Sequence, residues 1–156
     1  MKPVSVEQNM WTIFAQLLDR DLQKLHDEIS AFSEESNLWK TTGAITNPAG
    51  NLCLHLTGSL NHFIGATLGN TGFVRQREGE FANKNVPRLD MLRELTATRI
   101  KSVEILSSMP EGSLEATFPR KFMEQDVSTA WFITHILTHI SYHLGQVNYL
   151  RRVLEG

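Results

Sequence analysis

Three histidines recur at every fourth position near the end of the sequence: His135, His139 and His143. Residues four apart on an α-helix lie on one face with Cβ atoms about 5–6 Å apart, so two consecutive histidines can bind one metal ion. Three at this spacing are harder to satisfy as neutral core residues than one. The pattern therefore predicts that this helix supplies two metal ligands, either His135 with His139 or His139 with His143. Gln146 lies on the same stripe and can orient a ligand or contact a substrate.

The third ligand must come from another segment, and the helix predicted over residues 47–68 carries two candidates. His55 and His62 lie seven residues apart on one face, but the helical rise of 1.5 Å per residue separates them by about 10 Å. They cannot both reach one ion. Gly58 and Ser59 lie between them, and such small side chains predict open space beside the site for something other than protein.

The residue types available predict an ion bound by imidazole. Cys53 is the only cysteine, so a cysteine-based zinc cage is excluded. Its position far around the helix from His55 favours a core filler over a nucleophile. Three histidines with an open position are typical of catalytic zinc, and imidazole also suits nickel. No carboxylate lies beside the histidines as in the H-E-x-x-H motif, which ranks a metal-assisted hydrolase below the other functions.

A stretch over residues 69–86 has no helical period and is predicted to be a long loop. The simplest interpretation of its charges is a solvated surface. An arginine pair among them can instead bind a carboxylate or phosphate of a substrate. The charged residues are Arg75, Arg77, Glu78 and Glu80.

Four segments carry apolar residues with a helical period, and together they predict an all-α four-helix bundle. The first helix begins at a capping box formed by Ser5 and Gln8, and the second has Asn47 as N-cap and Pro48 in its first turn. Long loops follow the second and third helices, the later one with a short strand near residues 114–118. The connection after the second helix is long, which argues against the simplest up-down-up-down topology. The helices are predicted over residues 5–35, 47–68, 87–109 and 128–154.

Composition and charge exclude several classes of protein. The length of 156 residues fits a single domain over residues 1–156. The formal net charge of −2 argues against a nucleic-acid-binding surface, because such domains usually carry a basic excess. No apolar run approaches the roughly 20 residues of a membrane-spanning helix. The absence of a secretory signal predicts a cytoplasmic location.

Three stretches together resemble the DinB-like superfamily of four-helix-bundle metalloproteins: LHLTGSLNHFIGA, GNTGFVRQREGEF and THISYHLGQVNYLRR. The resemblance covers essentially the whole chain, in order. It implies a metal triad of one histidine from the second helix and two, four apart, from the last helix just before a Gly-Gln pair. The matching residues are His55, His139 and His143, which leaves His135 as a neighbour that lines the site.

The resemblance also implies a function, because superfamily members include thiol-dependent transferases and isomerases, often homodimers. We expect a Zn²⁺- or Ni²⁺-dependent S-transferase that uses a low-molecular-weight thiol and a small-molecule substrate, without nucleic acid or membrane partners. His135, His62 or Gln146 would guide protons or position the substrate, and Arg75 or Arg77 would hold an anionic group. The alternatives are a metal-binding stress or sensor protein without turnover, favoured by a sealed site, and a metal-assisted hydrolase.

Overall fold

The computed structural model describes residues 8–156 and confirms the predicted all-α bundle. No helix in this part of the chain is both long and apolar enough to span a membrane. Five helices and a short 3₁₀-helix, Glu35–Trp39, form in it, and the second of the five is continuous but changes from α-helical to π-helical along its length. The helices are α1, Met10–Ala31; α2, which joins an α-helical part, Ala49–Leu60, a π-helical segment, Asn61–Ala66, and a last turn, Thr67–Gly69; α3, Arg77–Ala82; α4, Arg88–Ser107; and α5, Thr129–Glu155.

Helix α1 is shorter than predicted. Its N-cap is Asn9, whose side-chain oxygen accepts a hydrogen bond from a backbone N–H of the first turn at 2.9 Å, the usual role of asparagine at this position. The predicted capping residue Ser5 lies outside the described residues. At the other end the backbone N–H groups of Ser33 and Glu34 donate to the carboxylate of Glu155. These bonds take the place of further helical bonds and end α1 early.

Helix α2 begins at Ala49, two residues after the predicted start, and ends at Gly69, one residue after the predicted end. Pro48 is its N-cap and has an extended ψ of 158°, whereas the sequence predicted Asn47 in this role. The first helical bond therefore runs from Leu52 to the carbonyl of Pro48, at 3.1 Å. At the other end Gly69 is the last helical residue, and Asn70 adopts the left-handed conformation with φ 53°, which asparagine tolerates well.

The connection before α5 contains an isolated antiparallel bridge between Thr117 and Ser128. The strand predicted near residues 114–118 is therefore wrong. The backbone N–H of Phe118 donates to the carbonyl of Val127 at 2.9 Å, so this part of the chain pairs with the segment that enters α5. The pairing is too short to form a strand, but it fixes the start of α5.

The four long helices run up, down, down and up. Helices α1 and α2 each pack against both α4 and α5, so each pair occupies a diagonal of the bundle. Arg88 at the start of α4 donates to the carbonyl of Phe32, just beyond α1, and Glu28 near the end of α1 accepts from Arg151 near the end of α5. Phe63, late in α2, packs on the start of α5. As the long connection after α2 predicts, the topology is not up-down-up-down.

The core contains aliphatic and aromatic side chains, and all four long helices contribute to it. Leu22 of α1, Leu56 of α2, Leu95 of α4 and Ile133 of α5 are fully buried. Complete burial of such a side chain contributes roughly 1.5–3 kcal/mol relative to leaving it in water. The core therefore holds α2 and α5 side by side and antiparallel, which brings polar residues on their facing sides together.

Helix α3 lies within the stretch that the sequence predicted as a loop. It packs on α2, where the buried side-chain amide of Asn51 donates to the carbonyl of Glu80 at 2.9 Å and to that of Asn83 at 2.8 Å. The helix has six residues and buries Glu80 instead of an apolar residue. No apolar period marks it in the sequence, so periodicity could not predict it.

Candidate metal centre

The three histidines of the predicted triad meet between α2 and α5. The Nε2 atom of His139 lies 3.2 Å from Nε2 of His55 and 3.1 Å from Nε2 of His143. One ring nitrogen from each residue lies within 4.8 Å of the other two. An ion about 2.0–2.1 Å from each nitrogen is the usual geometry for zinc and histidine. The two measured separations are shorter than twice that bond length, so the three imidazoles fit a divalent ion.

The proton on His55 is fixed by Glu80, which arrives from α3. Nδ1 of His55 lies 3.1 Å from Oε1 of Glu80, and a carboxylate can only accept a hydrogen bond. Nδ1 must therefore carry the proton, which leaves a lone pair on Nε2, the atom that faces the triad. Arg75 in turn donates to both oxygens of Glu80, each at 2.8 Å, and holds the carboxylate in place. Such carboxylate–histidine pairs are typical of metal sites.

The proton on His143 is fixed in the same way by Gln146. Nδ1 of His143 donates to the side-chain oxygen of Gln146 at 2.6 Å, so its Nε2 also presents a lone pair to the triad. His139 has one Nε2 atom between these two lone pairs and can donate one hydrogen at most. Hydrogen bonding within the triad thus leaves a lone pair without a donor, whereas a cation would satisfy all three nitrogens.

The environment keeps the imidazoles of His55 and His139 neutral, as metal ligands must be. Burial, and after it the neighbouring His143 and His55, lower the pKa of His139 to about 4. Burial is also the largest cause of the lowered pKa of His55, where Glu80 acts in the opposite direction. His55 and His139 are therefore in the form that binds a divalent cation at neutral pH.

The sequence model of the DinB family matches residues 8–154. The chain belongs to the DinB family. This confirms the resemblance drawn from the three sequence stretches, and all of the triad lies inside the matched region. No curated protein sequence matches this DinB-family chain.

The lowered pKa of His139 predicts how the stability of the metal-stripped DinB-family protein depends on pH. In the unfolded chain this histidine titrates near 6.5, whereas the folded protein protonates it only near pH 4. Between these values the unfolded state binds the proton and the folded state does not, so stability falls as pH decreases from about 6.5 to 4. Urea unfolding of EDTA-treated protein across this range measures the effect. His139→Gln should show a smaller decrease, and equal pH slopes for the two proteins would contradict the prediction.

His135 lies beside the triad but does not join it. Its ring stacks on Trp131 at 5.4 Å between centroids, and it lies 6.0 Å from the ring of His139. It lines a cavity of about 170 Å³ that also touches His55. The spacing of the helix left two ligand pairs open, and the structure brings His139 and His143 to His55. The other residues that line the cavity include Ser59, Phe63, Arg75, Arg77, Phe122 and Phe132.

The remaining predicted site residues occupy different environments. His62 lies in the π-helical segment with its ring edge-on to Phe63 at 4.7 Å, and it does not line the cavity. Arg75 donates to Glu80 through Nε and Nη2, so these two groups hold the partner of His55. Arg77 is exposed, lines the cavity, and lies over the Phe81 ring at 5.4 Å. Arg77 is therefore the arginine that is available to a ligand.

Sequence reasoning missed Glu80, which was interpreted as part of a solvated loop. Its side chain is 7% exposed, and it occupies the space that Gly58 leaves open. A Cβ atom on Gly58 would stand 2.0 Å from Oε2 of Glu80. The open space predicted beside the histidines therefore holds protein at this point. Gly58, three residues after His55 on the same helical face, is the sequence feature that indicates a close approach of another side chain to α2.

We expect Glu80→Gln to weaken metal binding by about 10–100-fold, the usual effect of losing a partner behind a ligand. A neutral amide accepts the Nδ1 proton of His55 more weakly than a carboxylate. It also leaves the charge of Arg75, whose side chain is 13% exposed, without a counter-charge. Competition against a chelating dye measures the affinity. Glu78→Gln, on the exposed side of the same helix, is the matched control, and equal affinities in the two variants would contradict the role given to Glu80.

Proposed function

We propose that this protein is a metal-dependent S-transferase in which His55, His139 and His143 hold Zn²⁺ or Ni²⁺. A low-molecular-weight thiol and an electrophilic small molecule would react at this centre. The observation that carries the proposal is the convergence of three Nε2 lone-pair positions beside a cavity that also contains Arg77. Membership of the DinB family supports the metal site, and the resemblance to thiol-using members supports the chemistry.

The thiol must come from a small molecule, because the only cysteine of the chain cannot act. Cys53 is 1% exposed, and burial raises the pKa of its thiol to about 12. In the proposed reaction the S–H bond of the small thiol and the bond from the electrophilic carbon to its leaving group break. A sulfur–carbon bond forms, and the proton accompanies the leaving group. A bound divalent cation supplies positive charge that acidifies a thiol.

The residues around the cavity support individual steps of this reaction. Arg77 can bind an anionic group of the thiol, and His135 is the imidazole that can accept the thiol proton. Phe63, Phe122 and Phe132 give the cavity apolar walls, which exclude water from the reacting groups. Gln146 keeps His143 oriented through Nδ1 and is a positioning residue in this scheme.

The two alternative functions receive less support. A hydrolase of the H-E-x-x-H kind needs a free carboxylate as general base, but both oxygens of Glu80 already accept hydrogen bonds, from Arg75 and His55. A sensor without turnover is favoured by a sealed site, whereas the cavity beside His139 gives a small molecule a place next to the triad.

The proposal includes a homodimer in the cytoplasm. Superfamily members are often homodimers, and the outer face of α5 exposes Tyr149 and Val153 at 68% and 60%. Exposed apolar side chains of this kind are common at interfaces between subunits. Analytical ultracentrifugation of the metal-loaded protein measures the oligomeric state.

The decisive experiment combines metal content with a thiol screen. Protein purified without chelators is analysed for zinc and nickel, and low-molecular-weight thiols are then incubated with electrophiles while free thiol is measured. We expect about one ion per chain and enzyme-dependent thiol consumption that His139→Ala abolishes. A stoichiometric ion with no consumption of any thiol would overturn the transferase and favour the metal-binding sensor.

A further inference from the structure

A second and larger cavity lies on the other side of His143. It has a volume of about 410 Å³ and is bounded by residues 44–47 and by the second half of α5. Gln146, the hydrogen-bond partner of His143, also lines it. The volume falls within the range of about 300–1,000 Å³ that small-molecule sites occupy. The cavity therefore borders the metal centre without being part of the cavity that contains Arg77.

The lining of this cavity combines apolar and polar side chains and contains no carboxylate, ammonium or guanidinium group. Leu52 and Leu150 are each 3% exposed and form its floor, whereas Ile45 and Tyr142 are 43% and 66% exposed. Apolar side chains that remain in contact with water are stabilised when an apolar ligand covers them. None of the described residues that line the cavity is an aspartate, glutamate, lysine or arginine. These side chains offer no counter-charge to an ionic ligand, so they favour a neutral molecule.

A turn at Gly43 positions residues 44–47 beside α5. Gly43 has a φ of 57°, a left-handed conformation that glycine adopts at little cost. The turn is closed by a hydrogen bond from the N–H of Ile45 to the carbonyl of Thr42, at 3.2 Å. This turn directs Ile45 toward the cavity instead of continuing the chain away from it. Asn47 and Gln146 supply polar groups at the edges, which can orient a bound molecule.

We propose that this cavity binds a neutral small molecule with an apolar body and a group that can hydrogen-bond, separately from the arginine-lined cavity beside His139. The two cavities lie on either side of one candidate metal centre, and arginine lines only the cavity beside His139. The assignment of the neutral molecule as the electrophile rests on the proposed function. Binding itself does not, because it follows from the lining alone.

The test uses two probes of similar size that differ in charge, 4-nitrotoluene and 4-nitrobenzoate. Backbone amide NMR spectra of the zinc-loaded protein are recorded during titration with each probe. We expect 4-nitrotoluene to shift the amides of residues 44–47 and 142–150, and 4-nitrobenzoate to leave them unchanged. Saturable shifts confined to other residues, or no shifts up to the solubility limit of 4-nitrotoluene, would overturn the proposal.

Variants then locate the site. Ile45→Glu places a charge at the rim and should weaken 4-nitrotoluene binding by about tenfold or more. Ile100→Glu makes the same change at a position of α4 that is 59% exposed, and it should alter binding by less than about twofold. Tyr142→Ala removes apolar surface without adding charge and should weaken binding several-fold. Equal effects of Ile45→Glu and Ile100→Glu would overturn the site.

The outcomes separate this site from the proposed function. If 4-nitrotoluene binds as expected but no thiol is consumed, the proposed transferase function is wrong and the proposed binding site is supported. If thiols react with a neutral electrophile and Ile45→Glu leaves its KM unchanged, the transferase stands and the site fails.

Discussion

Alanine in place of His139 is expected to abolish stoichiometric metal binding. His139 is the central donor of the triad, because its Nε2 lies 3.2 Å from that of His55 and 3.1 Å from that of His143. Losing a hydrogen-bond partner behind a ligand costs roughly 10–100-fold in affinity, and losing the ligand itself should exceed the upper end of that range. Elemental analysis after gel filtration, with a chelator competition to obtain Kd, measures the loss.

The matched control is His135→Ala. His135 is one helical turn away on the same face and lines the same cavity, but its ring stacks on Trp131 instead of joining the triad. This variant should retain about one ion per chain, whereas His143→Ala should lose it. Loss of the ion from His135→Ala with retention in His143→Ala would reverse the assignment and restore the other histidine pair.

Gly58→Ala is expected to have the largest effect of any single added methyl group near the site. The new Cβ would stand 2.0 Å from Oε2 of Glu80, which is far inside contact distance, and α3 would have to move. Overpacking and the disruption of a buried ion pair together should lower the free energy of unfolding by about 3 kcal/mol. Metal affinity should also fall, because His55 loses its partner. Urea unfolding and metal titration of the same variant measure both effects.

Two further variants test whether the overlap with Glu80 is the cause. Gly145→Ala makes the same change in α5, where nothing lies within 4 Å of the added Cβ, and it should be stabilising by about 0.5–1 kcal/mol because alanine favours the helix. The double variant Gly58→Ala/Glu80→Ala should be no less stable than Glu80→Ala alone. A double variant in which the two effects simply add would contradict the proposed overlap.

The four long helices could be predicted from the sequence because each buries one continuous apolar face. Leu22 and Leu95 belong to such faces, and both are fully buried. Helix ends were less predictable, because they depend on partners distant in the chain. The carboxylate of Glu155, which accepts from Ser33, ends α1 from 122 residues away. Helix α3 escaped prediction because its buried residue is the charged Glu80.

The triad was partly predictable for a similar reason. The spacing of four residues predicts which histidines share a helical face. It does not predict which two of them face α2. The family resemblance supplied the choice of His139 and His143, and the bundle brings these two to His55. The network behind the ligands could not be predicted, because Glu80 and His55 are 25 residues apart and their contact depends on how α3 packs. In the sequence, only Gly58 indicates that another side chain approaches α2 closely at this point.

Because the triad lies between α2 and α5, a bound ion would be a cross-link of the bundle. His55 and His139 are 84 residues apart in the chain, so one bound ion would close a loop of more than half the protein. A ligand that binds the folded state alone stabilises it by about 4.1 kcal/mol at a free concentration of 1,000 Kd. Metal supply in the cell would then set how long each molecule survives proteolysis, so protein abundance itself would respond to metal starvation.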